Sequence, residues 1–216
     1  MGDERARLGA YNLGDWSSDA LPMLCETVAV SAPPDVPPLV ARALDLSRKE
    51  GFITATRTET GRLLAALAAS RTGTLAELGT GCGVGSAWLD SGITGDARVV
   101  TAELDPALAE KVQELFVEAQ RIEVTSGDWS TLERYAPFSL LFVDVRDVKR
   151  SVDVVADLMG TGGMVVLDDF TPCQTWPPVY AGRVDVVREQ WLADDRFTAV
   201  EVMVAEDASV VIATRR

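Results

Sequence analysis

Residues 77–86 read Glu-Leu-Gly-Thr-Gly-Cys-Gly-Val-Gly-Ser, and Gly79, Gly81, Gly83 and Gly85 fall at alternate positions. The loop follows a short strand-like run, 74–78, and opens a helical one that reaches about Leu89. Glycine here lets the backbone turn sharply and approach a ligand closely. The free N–H groups of the next helix then face a negative group. The bland alternative is a tight strand-to-helix turn that holds nothing. A dinucleotide site would want Gly-x-Gly-x-x-Gly, and the last position falls on Ser86 or Val84, so that fit is imperfect.

Around the loop, helical and extended patterns alternate. Leu63, Leu64, Leu67 and Ala68 mark a helix over 58–70. Further strands are expected at 98–102, 122–125, 138–143 and 164–167, the last two as continuous apolar runs suited to buried parallel strands. Asp105-Pro106 starts a helix with a cap and a first-turn proline, with Leu108, Val112, Leu115 and Ala119 as its buried stripe. A helix over 184–192 and a hairpin of 197–204 with 208–214 close the chain. The pattern predicts an α/β fold, Rossmann-like and doubly wound: a mostly parallel seven-stranded sheet, helices on both faces and a C-terminal antiparallel hairpin. The first fifty residues differ. Helices at 20–30 and 39–50 flank the proline-rich run 31–38, so residues 1–50 read as a helical N-terminal arm and 51–216 as the main domain.

Composition excludes much chemistry. The 216 residues hold 20 Lys+Arg against 33 Asp+Glu, a formal net charge of −13, which argues against nucleic acid or an anionic membrane surface. There is no His, which removes Ser-His-Asp triads, Cys-His dyads and His-ligated zinc. Cys25, Cys82 and Cys173 form no Cys-x-x-Cys and read as reduced thiols of a cytoplasmic protein. No apolar run approaches spanning length, and no signal pattern opens the chain.

In such sheets ligands bind beyond the carboxyl ends of the strands. The second strand ends at Glu103, where a carboxylate suits a ribose diol. Its spacing from Gly79 fits S-adenosylmethionine (SAM) or NAD equally. The stretch Ala76-Glu77-Leu78-Gly79-Thr80-Gly81-Cys82-Gly83 resembles the glycine motif of class I SAM-dependent methyltransferases, acidic-x-Gly-x-Gly-x-Gly. The resemblance implies that Gly79, Thr80, Gly81 and Gly83 line the cofactor, that Glu77 helps hold its amino-acid end and that Glu103 binds its ribose. Ser126-Gly127-Asp128-Trp129 resembles the segment whose Asp accepts from the adenine amine, which gives Asp128 that role and Trp129 a stacking one; a turn Asp and a core Trp are the alternatives.

Asp144 ends the fourth strand, and Asp168-Asp169 the fifth. In the expected order 3-2-1-4-5 these strands are neighbours about 5 Å apart. Clustered carboxylates repel unless a cation or proton intervenes, and oxygen ligands without His or thiolate favour a hard ion such as Mg²⁺. The pattern resembles the metal-dependent O-methyltransferases of the catechol and caffeoyl-CoA type, with Asp169 where Asn is usual. The segment Gly51-Phe52-Ile53-Thr54-Ala55-Thr56 with Glu59-Thr60-Gly61-Arg62 resembles their cofactor-covering stretch. Those proteins carry a Lys three residues after the fourth-strand Asp; here that position is Asp147, and Lys149 is the candidate base, against a reading as a solvated lysine. The implied activity is methyl transfer from SAM to a hydroxyl of a small acceptor, with a divalent metal. Aromatics of the loop 170–180, with Tyr11 and Trp16, suggest a flat or apolar acceptor. A homodimer is the assembly entertained. The alternatives are an NAD-dependent oxidoreductase, for which no Tyr-x-x-x-Lys is present, and a non-catalytic SAM-binding protein.

Overall fold

The computed structural model describes residues 35–216. The expected helix at 20–30, and Tyr11, Trp16 and Cys25, lie outside these residues.

Seven strands form one sheet: β1 (Thr74–Leu78), β2 (Arg98–Glu103), β3 (Ile122–Ser126), β4 (Phe138–Val143), β5 (Met159–Phe170), β8 (Phe197–Ala205) and β9 (Ala208–Arg215). Their order is β3-β2-β1-β4-β5-β9-β8; the first five run parallel, and β9 and β8 add an antiparallel hairpin. The expected order and the closing hairpin are both present. A small hairpin, β6 (Val179–Tyr180) with β7 (Arg183–Val184), lies in the long loop after β5.

Alternate residues of the apolar strands feed opposite faces. Leu141, Val143, Val165 and Leu167 pack on one side with Val155 and Ala156 of α6 (Val152–Leu158) and Trp191 of α7 (Val186–Ala193). Leu140, Phe142 and Val166 pack on the other with Leu64 and Ala68 of α2 (Thr58–Ala68) and Leu89 of α3 (Val84–Gly92). Each fully buried side chain of this kind stabilises by roughly 1.5–3 kcal/mol. Gly61 and Gly92 let α2 and α3 approach closely: a Cβ at Gly61 would stand 2.1 Å from the Trp88 ring, and one at Gly92 2.0 Å from the Ala65 carbonyl.

Helix α1 (Pro38–Glu50) stops where Gly51 takes a left-handed conformation, as the sequence predicts, and its Val40 and Ala43 pack with Val84, Ala87 and Trp88. Asp105 caps α4 (Pro106–Leu115), accepting from Ala107 N at 2.9 Å. The stripe of that helix differs from the expected one. Ala109 and Val112 are its buried positions and Phe116 folds in just past its end, while Leu108 and Leu115 are half-buried and Ala119 falls beyond it. β5 also starts earlier than expected. Its Gly160-Thr161-Gly162-Gly163 opening has no strand signature, and it pairs with β4 across a register shift.

Candidate active site

The carboxyl ends of β1, β2, β4 and β5 open into one cleft of about 790 Å³. Glu77, Gly79, Thr80, Gly81 and Glu103 line one end of it; Asp144, Lys149, Asp168 and Asp169 line the other.

The first end is tied down from within. Gly79 and Gly81 have φ of 90° and 52°, a region that disfavours side chains. A Cβ on Gly81 would meet the Phe52 ring at 3.0 Å, so the segment after α1 lies against the loop. The Thr80 hydroxyl pairs with that of Thr101 at 2.7 Å, and Thr80 N donates to Ala102 O at 3.1 Å, which pins the loop to β2. Glu103 accepts from Gly81 N at 2.8 Å and from Asp105 N at 3.0 Å, which aims its carboxylate across the loop mouth. Glu77 is buried and accepts from the Ser86 hydroxyl. Burial pushes its carboxyl up to about 8, opposed by the Ser86 bond.

Three sequence candidates lie elsewhere. Gly83 does not line the cleft; a Cβ there would strike Phe116 at 2.6 Å, so its bareness serves the packing of α4. Asp128 and Trp129 are also outside the lining. Asp128 is exposed and accepts from Ser130 N at 3.0 Å, capping the 3-10 turn Trp129–Tyr135, and that bond lowers its pKa. Trp129 packs partly on the core.

At the other end, register brings the acids together. Val143 pairs directly with Leu167, so Asp144 and Asp168 leave adjacent strands side by side. Consecutive strand residues normally point to opposite faces, yet Asp168 and Asp169 both reach the cleft. The β5–β9 pairing shifts register between Leu167 and Phe170, and Asp169 has a φ of 63°. Asp and Asn are the non-glycine residues that best tolerate that conformation. A bulge thus turns a second carboxylate inward. One carboxylate oxygen of each of the three lies within 4.8 Å of the others.

This arrangement carries excess negative charge. Burial pushes Asp144 up to about 7; Lys149 opposes the shift, and Asp169 and Asp168 add to it. Burial also raises Asp168, which accepts from the Thr60 hydroxyl at 3.3 Å. Lys149 is buried rather than solvated. Its Nζ donates to Asp168 O at 2.9 Å and stands 3.5 Å from Asp169 Oδ2 and 3.8 Å from Asp144 Oδ1. It sits at the end of a single helical turn, α5 (Arg146–Lys149), fixed by Trp191 Nε1 donating to Lys149 O at 2.7 Å.

Several lining residues escaped the sequence reading. Arg146, Arg150, Asp185, Val187 and Arg188 border the cleft beyond the acids. Arg188 is buried, with its guanidinium on Glu201 at 3.0 Å, Asp185 at 3.3 Å and Thr171 O at 2.7 Å. Asp185 is a local partner three residues earlier, but Thr171 and Glu201 come from the loop after β5 and from β8, where no local motif announces them. Among the described residues no helix is long and apolar enough to cross a membrane.

The fold recurs in solved structures. The O-methyltransferase TomG from Streptomyces achromogenes, in complex with SAM, matches with a TM-score of 0.67 at 23% identity, over 84% of this chain and 92% of that one. An O-methyltransferase from Bacillus cereus, in complex with SAH, matches with a TM-score of 0.66 at 19% identity, over 91% of this chain and 97% of that one. The chain has the class I methyltransferase fold. In sequence, proteins named as O-methyltransferases are similar: one of Mycobacterium ulcerans is 33% identical over 117 residues, and one of Mycobacterium tuberculosis 32% over 118, each covering 50% of this chain and 52% of the relative. The chain thus spans about half the length of the curated relatives it matches. No family model matches it.

Proposed function

We propose that this chain is a SAM-dependent O-methyltransferase that acts on a hydroxyl of a small acceptor with a divalent metal, in a cytoplasmic setting. One observation carries the reading. A loop shaped for close backbone approach, with Glu103 fixed across it, shares a single cleft with three converging carboxylates.

The residues present fit a hard dication: they offer oxygen donors only, and their mutual repulsion is what such an ion relieves. Asp144, Asp168 and Asp169 would hold it, Mg²⁺ being the expected ion. When bound, SAM supplies an electrophilic methyl group, and the metal lowers the pKa of the acceptor hydroxyl. The chain itself supplies placement. Gly79 and Gly81 admit the cofactor against bare backbone, Glu103 accepts from its ribose diol, and Glu77 lies beneath its amino-acid end. Thr80 anchors this wall. Lys149 faces the carboxylates, offsets part of their charge and is the candidate base. Aligning donor and acceptor accounts for much of the rate in this reading. The NAD-dependent alternative lacks comparable support, since the similar folds named above hold SAM or SAH.

The test is calorimetric titration of SAM into wild type and Asp168→Ala, with and without Mg²⁺, followed by a phenol panel. SAM is expected to bind both proteins, and methylation is expected from wild type only with the metal present. Absence of SAM binding to wild type overturns the proposal. Metal-independent turnover overturns its metal half.

A further inference from the structure

Beyond the carboxylates, the cleft is bordered by two cations without an evident use. Arg146 and Arg150 stand four residues apart, at the start of α5 and just past its end, and both line the cleft. Neither guanidinium has a hydrogen-bond or ion-pair partner among the described residues. That is notable in a chain with 33 acidic and 20 basic residues, where most described cations are taken. Arg57 binds Asp207, Lys111 binds Glu50, Arg121 binds Asp90, and Arg196 binds Asp194. Arg188, the third arginine of this wall, is paired with Glu201 and Asp185 and donates to Thr171 O.

Like charges one helical turn apart repel. The pair is nevertheless held at the cleft, because the turn that carries it is anchored. Val148 and Lys149 are buried beneath it, and Trp191 bonds its last carbonyl. Phe170, Val187 and the exposed Tyr180 contribute apolar surface to the same cleft. A wall with two spare planar forks suits the oxygens of a carboxylate or phosphate.

We propose that the methyl acceptor carries an anionic group, a carboxylate or phosphate, on an apolar body, and that Arg146 and Arg150 bind this group while the hydroxyl lies at Asp144, Asp168 and Asp169. The inference rests on the methyltransferase reading and narrows it, because an uncharged phenol would leave both arginines unused.

The experiment compares 3,4-dihydroxybenzoate with catechol, which share a diol and differ by one carboxylate. Each is titrated calorimetrically into SAH-saturated protein with Mg²⁺, in wild type and in the double variant Arg146→Gln/Arg150→Gln. Wild type is expected to bind the benzoate about tenfold more tightly than catechol, in line with a charge-assisted pair. The double variant should lose that margin while its SAH affinity stays within about twofold. Equal affinities in wild type, or no binding of either probe, overturn the proposal and leave the methyltransferase reading standing. So does a preference that survives in the variant. A collapse of SAH affinity in the variant also overturns it, since the arginines would then serve the cofactor carboxylate. Failure of wild type to bind SAH removes both readings together.

Discussion

At the β1–β2 end of the cleft the polar side chains already have partners: Thr80 has Thr101, Glu103 has two backbone N–H groups, and Glu77 has Ser86. At the β4–β5 end, Asp144, Asp168 and Asp169 face one another with a single lysine among them, and Arg146 and Arg150 face the cleft unpaired. The first end is finished without a ligand, whereas the second carries charge that its own side chains do not balance. Internal hydrogen bonds preorganise a surface, while uncompensated charge stores a bias toward a counter-ion. The two ends should therefore answer mutation in opposite ways, affinity and stability falling together at the first and moving apart at the second.

The largest effect is expected at the second end. If Asp144 helps hold a metal as proposed, Asp144→Asn should cut metal-dependent methyl transfer on the order of a hundredfold or more. The same change should raise the thermal midpoint of the metal-free protein at pH 8 by a few degrees. The sign follows from the raised carboxyl, which the ion-free fold pushes up to about 7 from 3.8. Above that range the folded protein carries a charge the unfolded chain tolerates better, and asparagine removes it. A midpoint that falls instead would show that the carboxylates are comfortable without a cation.

Glu103→Ala should act at the first end with the next largest effect, lowering SAM affinity about ten- to a hundredfold through loss of charge-assisted bonds. Because Glu103 also holds Gly81 N, the midpoint should fall with it. Calorimetry and thermal melts on one variant read both. Unchanged stability would mean that the loop keeps its shape without Glu103.

The fold was legible because period-2 and period-3.6 apolar patterns, caps and glycine stops each stand in a short window: Asp105 before Pro106, Gly51 after Glu50, the apolar run at β4. The acids at the strand ends were legible for the same reason, since strand order turns sequence positions into neighbours. What did not show was anything decided by long-range packing. No local motif announces that a side chain at Gly83 would strike Phe116. The bulge that turns Asp169 inward depends on the β9 partner. The backbone of Lys149 is held by Trp191, 42 residues later.

Glu77 offers a smaller effect that turns on pH. Burial pushes its carboxyl up to about 8 from 4.5, so the folded chain keeps a proton that the unfolded chain releases. The stabilising contribution is fully present below about 4.5 and is lost as pH rises through about 8. Thermal midpoints measured from pH 5 to 9 should decline across that window, and Glu77→Gln should flatten part of the decline. A slope identical in the variant would assign the dependence to Asp144 and its neighbours, at the other end of the cleft.

The smallest effect tests where the first end stops. Asp128 is exposed, stands outside the cleft lining and is occupied in capping Ser130 N. Asp128→Ala should therefore cost about 1 kcal/mol of stability, the usual value of a lost cap, and leave SAM affinity within about twofold. Asp128→Asn should restore most of the stability, because an amide oxygen also caps. A tenfold loss of SAM affinity with stability intact would instead place Asp128 on the adenine amine. The first end would then include one polar group whose role goes beyond its cap.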